Sequence, residues 1–193
     1  MTIDPLSPHP KWLRRTPLAV FWWFVSRTND NFLKSVLVPF VRITPNLMIG
    51  PQLNQRGWRL LQKRYGANAI INMRVEADDR ERGIHPEHYL WLPTIDHTSP
   101  TVEQLQDAAA FLAQRIHNGD VVYVHCAAGV GRAPMAAAAY LITQGYTVDE
   151  ARELIKSRRP FINQSANQRS RLQQFAALMD PIFPQAENQD DDA

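Results

Sequence analysis

The sequence predicts an α/β domain: a small, mostly parallel central sheet flanked by helices, with a helical C-terminal half. Three observations carry this. Short apolar runs of strand length ("AIINM", "YLWLP", "VVYVH") alternate with helical periodicity over the first two thirds of the chain. That alternation calls for strands joined by helical crossovers. Beyond Arg132 the pattern is helical almost throughout, punctuated by Gly, Pro and Thr.

Each element follows from local chemistry. "VRITPNLMIG" (41–50) reads as one strand interrupted by Pro45. "NQRGWRLLQKRYG" (54–66) sets Trp58, Leu61 and Tyr65 at helical spacing, and Gly66 closes the helix. "ANAIINM" (67–73) and "YLWLP" (89–93) are short strands around a polar, charged loop, 74–88. "TIDHTSP" (94–100) is a loop. A helix follows from Thr101 to His117, with Thr101 and Gln104 spaced as a capping box and Gly119 beyond its end. "VVYVH" (121–125) is the strongest buried-strand signal. "RAPMAAAAYLITQG" (132–145) is an alanine-rich helix that tolerates Pro134 in its first turn. "TVDEARELIKSRR" (147–159) is a capped amphipathic helix stopped by Pro160, and 165–179 is a last helix.

A length of 193 residues and a 45% hydrophobic share fit one domain with extensions. The single cysteine, Cys126, excludes an internal disulfide and any all-cysteine metal site. A reducing, cytoplasmic compartment is the simplest expectation. The net charge of +2 hides an asymmetry. Residues 1–64 hold ten Lys/Arg against Asp4 and Asp30, whereas 172–193 hold five acids and no Lys/Arg. The expected organisation is a basic, Trp-rich helical extension (1–40), a catalytic domain (41–180) and an acidic, disordered tail (181–193). The apolar run "PLAVFWWFV" (17–25) falls well short of the ~20 residues a membrane span needs. The expected reading of 11–40 is one or two helices packed on the domain; the alternative is peripheral contact with an anionic membrane surface through Trp12, Trp22 and Trp23 beside Lys11, Arg14 and Arg15. No nucleic-acid motif accompanies the basic residues, and none is expected as a partner.

The chemistry concentrates in "VYVHCAAGVGRAP" (122–134). A strand runs into Cys126, then Ala127, Ala128, Gly129, Val130, Gly131 and Arg132, then a helix. A tight loop between a strand and a helix N-terminus turns backbone N–H groups toward one point, which makes an anion nest. Arg132 adds a two-pronged donor for a tetrahedral oxyanion. Positive potential at this place favours a thiolate, and a thiolate beneath a phosphate is set for in-line attack on phosphorus.

This stretch resembles the Cys-x5-Arg signature of the protein tyrosine phosphatase superfamily, with its usual histidine, His125, before the cysteine. "NLMIGPQL", "AIINMR", "LPTIDHTSPT" and "GYTVDEARELIKSRRPFI" make it most similar to the compact dual-specificity type over about residues 41–180. The resemblance implies that Cys126 takes the phosphoryl group, that Arg132 and the N–H groups of 127–132 hold its oxygens, and that Asp96 is the general acid and then the base. His125 orients the loop, and neither metal nor cofactor is required. The implied substrates are phosphotyrosine, phosphoserine or phosphothreonine proteins, or small aryl phosphates. Asp78 and Asp79 read as members of a loop flanking the pocket. Arg158 and Arg159 read as cations at a helix end, with a place along a substrate groove as the alternative; Gln164 and Gln168 read as surface or cap residues, with an approach to the pocket as the alternative.

One departure stands out. The family usually places Ser or Thr after the arginine, whose hydroxyl eases departure of the thiolate; here it is Ala133. That puts fast phosphoenzyme breakdown in doubt and keeps a weakly active, phosphate-binding pseudophosphatase open. "HCxAGxGRAP" is also similar to the plant glucan phosphatases. "LPTIDHTSPT" is similar to the phosphatidylglycerophosphate phosphatases, so a phospholipid substrate is the alternative. A rhodanese-type sulfurtransferase also uses a cysteine in an anion loop, but the Gly-x-Gly-Arg run and Asp96 argue against it.

Overall fold

The structure, a computed structural model, describes residues 40–160, 162 and 164–179. The extension expected over 1–40 and the tail over 181–193 therefore lie outside the described residues, apart from Phe40. Among the described residues no helix is long and apolar enough to cross a membrane.

Among the described residues five strands form one sheet: β1 (Val41–Thr44), β2 (Leu47–Pro51), β3 (Ala67–Arg74), β4 (His88–Thr94) and β5 (Val121–Cys126). Their spatial order is β1-β2-β5-β3-β4. Only β1 and β2 run antiparallel; β2–β5, β5–β3 and β3–β4 are parallel. The single interrupted strand expected over 41–50 is thus a hairpin. Asn46 explains the turn: its side chain donates to the carbonyls of Gly119 (3.3 Å) and Asp120 (2.9 Å), and its own carbonyl accepts from Val122 N–H at 2.9 Å. The turn is fastened to the start of β5, and the chain reverses there.

The helices are α1 (Gln55–Tyr65), α2 (Val102–His117), α3 (Arg132–Thr143), α4 (Val148–Arg158) and α5 (Ala166–Met179). Period-2 alternation sorts the strands' side chains onto two faces. Val122, Val124 and Cys126 of β5 join Leu47, Ile49, Ala69, Ile71 and Met73 in the larger core, which α2 to α5 cover. Tyr123, Met48 and Ile70 face the other way, against Trp58 and Leu61 of α1. Because β5 is central, its C-terminal end opens between β2 and β3, where ligands bind in open parallel sheets. The α3 helix, rich in alanine and buried along nearly its whole length, packs close beneath that end.

The caps read from sequence form as expected. Thr101 and Gln104 make the reciprocal capping box of α2, and Thr147 with Glu150 makes that of α4.

Candidate active site

The loop from Cys126 to Arg132 closes over the end of β5 with its carbonyls tied outward. Ala127 O accepts from the N–H of Gln52 at 3.4 Å. Ala128 O and Gly129 O accept from Arg159 Nη2 (2.9 Å) and Nε (2.7 Å). In a trans peptide the N–H points opposite to the C=O. Anchoring three successive carbonyls on the outside therefore turns the N–H groups of Ala128, Gly129 and Val130 inward. The Gly129 N–H reaches Cys126 Sγ at 3.3 Å. Gly129 has φ +67°, and a side chain there would collide with the backbone of Gly50, so the loop needs glycine at this point. The N-cap of α3, Gly131, supplies no side-chain hydrogen bond, which leaves the helix's positive end to the loop.

Arg159 is where the sequence reading changes most. It is the residue at the end of α4, as a dipole-favoured cation would be, but it is fully buried beneath the loop. Burial pushes its guanidinium down to about 10. Its positive charge and that of Arg132 both stand near Cys126.

Arg132 is almost completely buried at the mouth of the same loop. Nη1 donates to Thr94 O (2.6 Å), Met73 O (3.3 Å) and Glu76 Oε2 (3.2 Å). Nη2 meets Glu76 Oε1 at 3.1 Å and Asp96 Oδ1 at 2.9 Å. Nε has no partner among the described residues, so a donor is left for an oxyanion in the cradle. Burial works against this guanidinium's charge, but Glu76, Cys126 and Asp96 outweigh it and raise the pKa above the ordinary arginine value.

Glu76, in the loop read only as charged, clamps the arginine with both oxygens. Burial opposes its ionisation, yet the bonds from Arg132 and Arg74 and from its own backbone hold the carboxyl at about 2 against an ordinary 4.5. A depressed carboxylate stabilises the fold above its unfolded pKa and loses that contribution as pH falls through the folded value. The clamp is about a third exposed, so the contribution is modest, about 1 kcal/mol. The thermal stability gap between wild type and Glu76→Gln is expected to be widest near neutral pH and to close between pH 4.5 and about 2. A gap that stays flat with pH would show that the charge of Glu76 is not what holds Arg132.

Asp96 stands on the loop after β4, half-exposed, and meets Arg132 Nη2 at 2.9 Å. Its Oδ1 also accepts from the His97 N–H at 3.0 Å, with His97 at φ +64°. Cys126, Arg132 and Asp96, 36 residues apart at their extremes (96 to 132), therefore converge on one place.

His125 points to the other face of the sheet. Its Nε2 lies 2.6 Å from Asp79 Oδ2, and both residues are buried. Gln52 Nε2 donates to Asp79 Oδ1 at 3.2 Å, so one residue holds both the loop's Ala127 and the histidine's partner. Asp79 is thus not a pocket-flanking residue, as expected from sequence, but a buried support under β5. Ala133 is fully buried in the first turn of α3 and brings no hydroxyl to the site.

Residues 54–177 match the family model described as dual specificity phosphatase, catalytic domain. The chain belongs to this family. Laforin of Mus musculus is 29% identical over 147 residues, which cover 64% of this chain and 44% of laforin. Phosphatidylglycerophosphate phosphatase PTPMT2 of Arabidopsis thaliana is 26% identical over 167 residues, 83% of this chain and 65% of that protein. Among solved structures, PTPMT1 in complex with PI(5)P superposes with a TM-score of 0.69 at 26% identity, covering 74% of this chain and 97% of that one. This dual-specificity phosphatase chain thus spans less than half of laforin's length.

Proposed function

We propose that the chain is a metal-independent phosphomonoesterase that works through a phosphocysteine at Cys126. The observation that carries this is the convergence on one loop of an inward N–H at 3.3 Å from Sγ and a buried arginine whose Nε has no partner among the described residues. The phosphate dianion binds to the N–H groups of 127–132 and to Arg132. It competes with Asp96 for Nη2, and so frees that carboxyl to turn toward the leaving oxygen and carry a proton. Sγ attacks phosphorus, the P–O ester bond breaks, and Asp96 protonates the departing oxygen. Water then attacks phosphorus, Asp96 accepts its proton, the P–S bond breaks, and the loop stabilises the equatorial oxygens in both steps.

The substrates that fit this reading are phosphorylated proteins or small aryl phosphates. The loop side chains Ala127, Ala128 and Val130 carry no cation for a multiply charged headgroup. A second reading, a phospholipid of the phosphatidylglycerophosphate type, is favoured by the similarity to PTPMT2, which extends over 83% of this chain.

Ala133 gives the thiolate no hydroxyl on departure, so the second step is slower than the first. Rapid mixing with p-nitrophenyl phosphate in EDTA is expected to give a burst of about one equivalent of nitrophenol followed by slower turnover. An acid quench during the steady state is expected to show a phosphate-sized mass increment on the peptide that holds Cys126. Turnover with that peptide unmodified throughout would overturn the proposal.

A further inference from the structure

We propose that Gln168 is a positioning residue for the loop that carries Asp96, an inference that rests on Asp96 acting as the general acid. Gln168 lies in the first turn of α5, and its side chain is almost fully buried. Its backbone N–H donates to Ser165 Oγ (3.2 Å), and its Oε1 accepts from the Ser165 N–H at 3.1 Å. That reciprocal pair fixes the side chain's first four atoms in the manner of a capping box. The remaining end, Nε2, donates to Thr98 O at 2.9 Å, across 70 residues of sequence.

Thr98 is two residues from Asp96. Within the loop, Thr98 N–H and Oγ1 both return to Ile95 O, at 3.2 and 2.7 Å, which makes residues 95–98 one tight turn. Fixing Thr98 O therefore fixes the whole turn, Asp96 included. The turn is otherwise poorly buried: Ile95 is 65% exposed and the Asp96 side chain about half exposed.

The same amide also lies against the phosphate loop. A β-carbon added to Gly131 would stand 3.2 Å from Gln168 Nε2. Gln168 thus spans the gap between the acid's turn and the loop that holds the phosphate, and sets the distance from carboxyl to leaving oxygen. Once phosphate takes Arg132 Nη2, the ion pair that holds Asp96 is lost, and the Thr98 tether is what keeps the carboxyl beside the site. General acid catalysis depends steeply on such placement, since a misplacement near 1 Å can cost ~100-fold.

The test compares Gln168→Glu, which keeps volume and the bond from Ser165 but loses the donor, with Gln168→Met, which is neutral. Each is assayed on phenyl phosphate, whose leaving group needs a proton, and on p-nitrophenyl phosphate, whose leaving group needs little help. Loss of kcat/KM, which reports the first step, is expected to be about tenfold greater on phenyl phosphate in both variants, and that excess is expected to vanish in the Asp96→Asn background. Equal losses on the two substrates, or an excess that survives Asp96→Asn, overturn the inference while leaving Asp96 as the acid. An Asp96→Asn chain with no leaving-group dependence of its own overturns the acid assignment and this inference together. Melting curves for each variant separate loss of positioning from loss of fold.

Discussion

Cys126→Ser is expected to reduce turnover by about four orders of magnitude or more while substrate binding survives. The reason is the division of labour in the loop. In the proposed mechanism binding comes from backbone N–H groups, whose direction is set by Gln52 and Arg159 pulling the carbonyls outward, and from Arg132. None of these contacts depends on sulfur. Bond formation to phosphorus does: a thiolate is a ready nucleophile, whereas a serine hydroxyl keeps its proton and finds no base within the loop. The buried His125 is turned away from the cradle and engaged by Asp79, so it does not supply one. The measurement is kcat on p-nitrophenyl phosphate beside the affinity for phosphate, followed by titration. Turnover within tenfold of wild type would remove Cys126 from the reaction. Loss of phosphate affinity with the fold intact would mean that Sγ itself organises the nest.

Sequence and structure agree where the information is local. Val122, Val124 and Cys126 alternate with Tyr123 and His125, and the two faces of β5 follow directly. Nucleophile, glycines and arginine fall within seven consecutive residues, so the cradle is visible in the chain before it folds. The supporting residues are not. Glu76, Asp79, Arg159 and Gln168 each act on a partner 30 to 70 residues away. In the stretch 74–88, acids and arginines look alike as a solvated loop. Which acid is buried is decided by distant groups: Gln52 and His125 draw Asp79 inward, while Tyr89 Oη donates to its neighbour Asp78 at 2.8 Å. The β1–β2 hairpin escaped for the same reason, because Asn46 makes its turn by bonding Gly119 and Asp120. A proline alone signals interruption, not reversal.

Arg132→Lys is expected to lower kcat/KM by about three orders of magnitude, although charge is conserved. The guanidinium is held by a fork of fixed acceptors: two carbonyls on Nη1, Glu76 across both terminal nitrogens, and Asp96 on Nη2. That arrangement leaves Nε, a donor without a partner among the described residues, to meet an oxyanion. Lysine offers three donors from one point on a flexible stem. It can answer Thr94 O or Glu76, but not both and a phosphoryl oxygen as well. Unmet acceptors in a buried site also cost stability, about 1–3 kcal/mol. Arg132→Ala supplies the control that a folding defect would not mimic. It removes the side chain but leaves the carbonyls of Met73 and Thr94 and the carboxylate of Glu76 around the vacated space, and added guanidinium ion is expected to restore part of the activity. Rescue by guanidinium but not by ammonium would establish the fork, rather than the charge, as the contribution of Arg132. Activity in Arg132→Lys within tenfold of wild type would show the reverse, that a point charge is sufficient.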